Sequence, residues 1–102
     1  MGRGRMWSGK EDSAYIKIYI LGHANYAQHG KDIVCSAVSS IVTTTINGIL
    51  ALNEGSLNYE VSKKGMIIEG ISRDSITQRL LESMVSLLKQ LEEQYPANIE
   101  IQ

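Results

Sequence analysis

The sequence predicts an α+β fold: a small mixed sheet with a hairpin, packed with two main helices, in the order strand-helix-hairpin-helix-strand. Three observations predict it. Residues 15–20 alternate isoleucine with tyrosine or lysine, as a half-buried strand does. Two later segments, about Ile33 to Leu52 and Ser75 to Tyr95, repeat apolar residues at intervals of three and four, as amphipathic helices do. Between them, two β-prone runs flank Lys63-Lys64-Gly65, a connection suited to a hairpin.

Residues 1–13 are polar and glycine-rich, with Trp7 as the one large apolar group besides the methionines. They read as an N-terminal arm or a divergent first strand, and a solvated arm is the simpler of the two. Residues 14–102 read as a single α+β domain. In Tyr15–Ile20, the residues Ile16, Ile18 and Ile20 face one way, and Tyr15, Lys17 and Tyr19 the other. Gly22 ends this strand, and residues 24–31 are a loop.

The first helix carries a stripe of Val34, Ala37, Val38, Ile41, Val42, Ile46, Ile49 and Leu50. Its β-branched residues and Gly48 lower the intrinsic propensity, so burial of the stripe must hold the helix together. Asn53-Glu54-Gly55 is its exit. Residues 57–62 and 66–71 form the hairpin, with Gly65 supplying a left-handed turn position. Ser75-Ile76-Thr77-Gln78 has the form of a capping box. The second helix then buries Ile76, Leu80, Met84, Leu87, Leu88, Leu91 and Tyr95 until Pro96 stops it. Residues 98–101 are a short last strand.

A chain of 102 residues makes one modest core, burying roughly two-thirds of its unfolded surface. Its formal net charge of -1 argues against a surface built wholly for polyanions, so there is no strong nucleic-acid signal. One cysteine allows no internal disulfide, and no zinc-ligand spacing occurs, so neither a metal nor another cofactor is expected. A lone thiol fits a reducing compartment. No uninterrupted apolar run reaches the ~18–20 residues that span a bilayer. No apolar segment follows Arg3 and Arg5 as in a secretory signal, and Met6 stands where a myristoylation signal wants Ser or Thr. The expectation is a soluble, cytoplasmic protein without a membrane partner.

The stretch from Gly22 to Ser39 holds the only cysteine and both histidines. It joins the end of a strand to the start of a helix, so a nucleophile and a base stand on the two walls of one loop. With Asp32 as N-cap, Cys35 is the third helical residue. There, unsatisfied N–H groups and the helix dipole favour a thiolate. The plainer alternative is a buried structural cysteine. His23 is anchored by the strand before it, and an imidazole could take the thiol proton and return it to a leaving amine. Asp32 could cap the helix, orient His23, or both. Ser39, one turn beyond Cys35, could reach the site or simply allow close packing. His29 reads as a solvated loop residue, and Tyr26 as a loop anchor or part of a substrate groove. Gly22 and Gly30 bracket the loop, as hinges of a lid or as ordinary turns.

The run G-H-A-x-Y, then G-x-D-I-V-C, then V-S resembles the signature of the bacterial ribosomal-processing cysteine proteases. The resemblance is strong from Gly22 to Ser39 and looser to the end of the chain. It implies a catalytic dyad of His23 and Cys35, with Asp32, Ser39 and Gly22 also matching. It further implies an α+β fold, a homodimer, and as substrate a large-subunit ribosomal protein precursor whose N-terminal extension carries an apolar, aromatic-bearing cleavage sequence. Met1 to Ser13 lacks the apolar alternation with which family members open.

The reading is therefore a cysteine endopeptidase. Two others compete: a non-catalytic ribosome-assembly or RNA-contacting module using Arg3, Arg5, Lys63 and Lys64, and a thiol-dependent hydrolase or acyl-transfer enzyme for small molecules.

Overall fold

A computed structural model describes residues 4–21, 32–62 and 65–102, with the Asp32 side chain left aside. The elements are β1 (Gly4–Glu11), β2 (Ala14–Leu21), α1 (Asp32–Leu52), β3 (Asn58–Ser62), β4 (Gly65–Glu69), α2 (Ser75–Gln94) and β5 (Ile99–Ile101). The five strands form one mixed sheet in the order β3-β4-β2-β1-β5. All pairings are antiparallel except that of β1 with β5, which is parallel. The predicted α+β class, its mixed sheet and its two main helices are all present, with one strand added at the front.

That strand is the second of the two readings offered for residues 1–13, a divergent first strand, and not the simpler solvated arm. Residues 4–11 are not a solvated arm but β1, paired along its length with β2. Met6 is 1% exposed and enters the core. The connection is a two-residue turn at Asp12 and Ser13, both with positive φ, as a tight hairpin between right-twisted strands requires. Arg73 ties the turn down through ion pairs with Glu11 and Asp12.

A bulge also corrects the facing of β2. Gly9 pairs with Lys17 but Lys10 pairs with Tyr15, so Ile16 is skipped. An extra residue inverts the alternation beyond it. Ile18 and Ile20 point into the core as expected, yet Tyr15 is buried and Ile16 is exposed.

In α1, Val34, Cys35, Val38, Val42, Ile46 and Ile49 are buried, and Ile41 and Leu50 are partly buried against them. Ile33–Leu52 is long and apolar enough, by length and composition, to cross a bilayer. The expectation of no span-length segment therefore fails for the helix as a whole. Its inward face is nonetheless committed to the same core as α2 and the sheet.

In α2 the buried face is Thr77, Leu81, Met84, Val85 and Leu88, which shares Met84 and Leu88 with the predicted stripe and is otherwise offset from it. Ile76 and Leu87 are exposed, while Leu80 and Leu91 lie at the margin. Thr77 can be buried because its hydroxyl donates to Asp74. Asp74, not Ser75, is the N-cap, accepting the Thr77 N–H at 3.0 Å. Gln78 is accordingly free of capping and turns to β2.

Gly65 belongs to β4 rather than to the turn. Its φ is +145°, and a Cβ there would lie 2.0 Å from the carbonyl oxygen of Ile20. Close approach of β4 to β2, not a left-handed turn, is what requires glycine. The helices cover one sheet face. On the other, Trp7 and Tyr19 stack across β1 and β2 with ring centroids 5.2 Å apart.

Candidate active site

The site is organised by the head of α1. β2 carries the chain from the sheet to residues 22–31, and α1 returns it through the core. The helix begins at Asp32, one residue earlier than predicted, so Cys35 is its fourth residue rather than its third. It remains in the first turn, where side chains lean toward the helix N-terminus and its unsatisfied N–H groups. Cys35 is 8% exposed. It is buried, with Val34 and Val38, on the inward face of α1.

Ser39 and Thr43 follow Cys35 at intervals of four, so the three residues make one ridge along α1. Ser39 and Thr43 are exposed and form one wall of a groove. Ile20, Val38, Val42 and Met66 make its floor, and Val61 of the edge strand β3 its far wall. The groove encloses about 100 Å³. It thus starts one turn from the thiol and is mostly apolar inside.

Of the residues singled out in the sequence, Cys35 and Ser39 are brought onto this ridge. Gly22, His23, Tyr26, His29 and Gly30 lie outside the described residues, as do Arg3, Lys63 and Lys64. Asp32 opens α1 in its backbone, while the part its side chain plays lies outside the described residues. Arg5 faces Glu100 at 3.7 Å, and Lys10 sits 4.6 Å over the Tyr15 ring. Among the described residues, no cluster of three or more His, Cys, Asp or Glu could hold a metal ion.

Sequence reasoning missed the groove. Val61 and Met66 come from the hairpin, 26 and 31 positions beyond Cys35 in the sequence. Thr43 alone carried a signal, standing two helical turns from Cys35 on the same ridge.

A thiol held in the first turn of a core helix, one turn from a largely apolar groove, suits the chemistry of a cysteine peptidase. Residues 6–100 match the family of cysteine protease Prp, and the chain belongs to that family. It is 26% identical over 97 residues to the ribosomal processing cysteine protease Prp of Bacillus subtilis (strain 168), covering 88% of this chain and 87% of that protein. It is 29% identical over 83 residues to the protein of the same name from Staphylococcus aureus (strain Mu50 / ATCC 700699), covering 78% of each. Its fold is that of the Staphylococcus aureus ribosomal processing protease Prp solved with a substrate peptide. The TM-score is 0.83 at 22% identity, over 100% of this chain and 98% of that one. A solved Streptococcus mutans protein superposes with a TM-score of 0.88 at 22% identity, over 99% of this chain and 93% of that one.

Proposed function

We propose that this chain is a cysteine endopeptidase that removes the N-terminal extension of a large-subunit ribosomal protein precursor, with Cys35 as nucleophile and His23 as general base and acid. One observation carries the reading. The family match runs across nearly the whole chain, and the G-H-A and D-I-V-C motifs that resemble the family's signature carry His23 and Cys35, of which Cys35 lies in the first turn of α1.

In this mechanism His23 takes the Cys35 proton, and the thiolate attacks the scissile carbonyl to form a tetrahedral oxyanion. Collapse expels the amine, which leaves with the proton from His23, and the new amino terminus departs. Water, deprotonated by His23, then attacks the thioester. The acid is released and the thiol restored. Backbone N–H groups near Cys35 and Ser36 stabilise the oxyanion in both steps. Asp32 and Ser39 act as positioning residues. The protein works as a cytoplasmic homodimer, without cofactor, metal, membrane or nucleic acid.

The decisive experiment is mass spectrometry of the extended ribosomal protein after incubation with this protein, with Cys35→Ala alongside. A single cut by the wild type alone is the expected result. Cutting by Cys35→Ala would end the proposal. Peptide against ester substrates separates an endopeptidase from a small-molecule hydrolase, and RNA binding that falls steeply with salt would favour the RNA-contacting module instead.

A further inference from the structure

We infer that the cavity between the C-terminal end of α1 and the first turn of α2 is a second contact for the substrate, remote from the thiol. It takes one lysine or arginine side chain from the part of the ribosomal protein that is kept after the cut. The inference rests on the peptide-cleaving reading of Cys35 and extends it to how the rest of the precursor is held.

The walls suit a long aliphatic stem. The cavity encloses about 220 Å³, more than the ~150 Å³ that accommodates a benzene ring. Ile49, Leu52, Ile76 and Leu80 line it. Ile49 is fully buried, whereas Leu52 and Ile76 are 67% and 60% exposed and stand at the rim. Lysine and arginine bury such stems on apolar surface and carry the charge to polar groups at the end. Those groups are Asn53, Ser56 and Asp74. Ser56 is 2% exposed. Its N–H donates to the Asn53 carbonyl and its carbonyl accepts the Ser72 N–H, but its hydroxyl has no partner among the described residues. A buried hydroxyl oxygen in that state is an acceptor waiting for a donor.

The charge selects a cation. Asp74 is ionised, fixed by the Thr77 N–H and hydroxyl, and its full charge more than offsets the positive end of α2. The negative end of α1 points to the same place, with no basic residue in its last turn, and Glu54 follows in the exit. No basic residue lines the cavity, and neighbouring Arg73 is turned to Glu11 and Asp12. The substrate supplies the opposite sign. A protein that binds ribosomal RNA neutralises phosphates with lysine and arginine, and these belong to the part retained after processing.

The distance along α1 sets where in the substrate the cation lies. Ile49 and Asn53 stand 14 and 18 positions beyond Cys35. At 1.5 Å of rise per residue the cavity is roughly 21–27 Å from the level of the thiol. An extended chain advances about 3.3 Å per residue, so the cation is at least about seven residues from the cleaved bond.

The rim residues test this without touching the Asp74 cap. The probe is a labelled peptide of the precursor carrying the extension, the cleaved bond and about fifteen residues beyond it. A second peptide has every Lys and Arg from the seventh residue after the cut onward changed to Gln. Fluorescence anisotropy measures both against Cys35→Ala, alone and with Ile76→Lys, Ile76→Glu or Leu87→Lys. Leu87 is exposed on the same helix, about 16 Å along it from Ile76 and beyond the ~8 Å screening length at physiological salt. Expected is about five-fold or more tighter binding of the basic peptide, shrinking as salt is raised. Ile76→Lys should erase the gain, while Ile76→Glu and Leu87→Lys keep it.

Equal binding of the two peptides, a gain that survives Ile76→Lys, or one that Leu87→Lys erases as well, overturns the cavity as the contact. So does Cys35→Ala that binds neither peptide. Cleavage by the wild type is assayed in parallel, and the two proposals fail separately. A single cut without the gain removes the remote contact and leaves the peptidase standing. A gain that follows Ile76 in a protein that cuts nothing supports the cavity and removes the peptidase.

Discussion

The side-chain amide of Gln78 binds both backbone groups of Tyr15: the Tyr15 N–H donates to Oε1 at 2.7 Å, and Nε2 donates to the Tyr15 carbonyl at 3.0 Å. Tyr15 needs such a partner. β2 pairs with β4 only from Ile18 onward, so the β4-facing side of its first residues has no strand beside it. Nε2 also donates to the Ser72 carbonyl at 2.9 Å, so one amide ties β2 to the segment entering α2. Gln78→Ala leaves these partly buried groups unsatisfied and should cost about 1–3 kcal/mol, read as a lower urea midpoint with unchanged slope. Gln78→Glu should not rescue it, because both donors are gone. An unchanged midpoint in Gln78→Ala would show that water replaces the clasp.

The bulge makes two isoleucines of one strand unequal. Ile18 is 0% exposed and Ile16 is 38% exposed. Ile18→Ala should cost about 2–5 kcal/mol through the cavity it opens, while Ile16→Ala should stay within about 1 kcal/mol. Chemical denaturation of the two variants measures the difference. Equal losses would mean that β2 alternates without a bulge.

These two sites also show where the sequence is informative. The period of α1 reads directly, because its apolar stripe is wide and every member of it is buried or half-buried. β2 reads as a strand, but not its facing, since a bulge leaves no residue type behind it. β1 is hidden because its inner face presents Gly4 and Met6, and its outer face the stacked Trp7, where a strand pattern wants repeated β-branched residues. In α2 the stripe is offset because Thr77 is buried by a hydrogen bond to Asp74, which apolar counting cannot register. At the site, the local motif marks Cys35 and its neighbours on one helix. The groove joins α1 to a hairpin distant in sequence, and only the fold brings them together.

Asp74 links helix capping to acid stability. Its carboxyl is held down to about 2, first by the Ser72 hydroxyl and then by the Thr77 N–H and hydroxyl. A carboxylate whose folded value lies below its unfolded one near 3.8 stabilises the fold fully above that pH and loses the effect as pH falls through about 2. Asp74→Ala should lower the melting temperature on the order of 5 °C at neutral pH, and the gap from the wild type should narrow progressively between pH 4 and about 2. A gap independent of pH across that window would show that the charge contributes nothing.

Gly65→Ala should be among the most disruptive single-methyl changes in the chain. Its Cβ would meet backbone, not a flexible side chain, and its φ of +145° is poor for any L-residue. β4 would have to part from β2, and Gly65 also borders the groove. A loss of several kcal/mol or failure to accumulate folded protein is expected from thermal melts. Near wild-type melting would show that the two strands separate there at little cost.

His23 offers the sharpest test of the proposed chemistry. As general base and acid it acts on kcat, and its removal should leave peptide binding intact. His23→Ala should lower kcat by about 10²–10⁴-fold while KM changes little. Circular dichroism of His23→Ala must match the wild type for the comparison to hold. A variant that keeps its kcat, or loses rate only through a raised KM, would move the base elsewhere and leave Cys35 to be activated by the helix terminus alone.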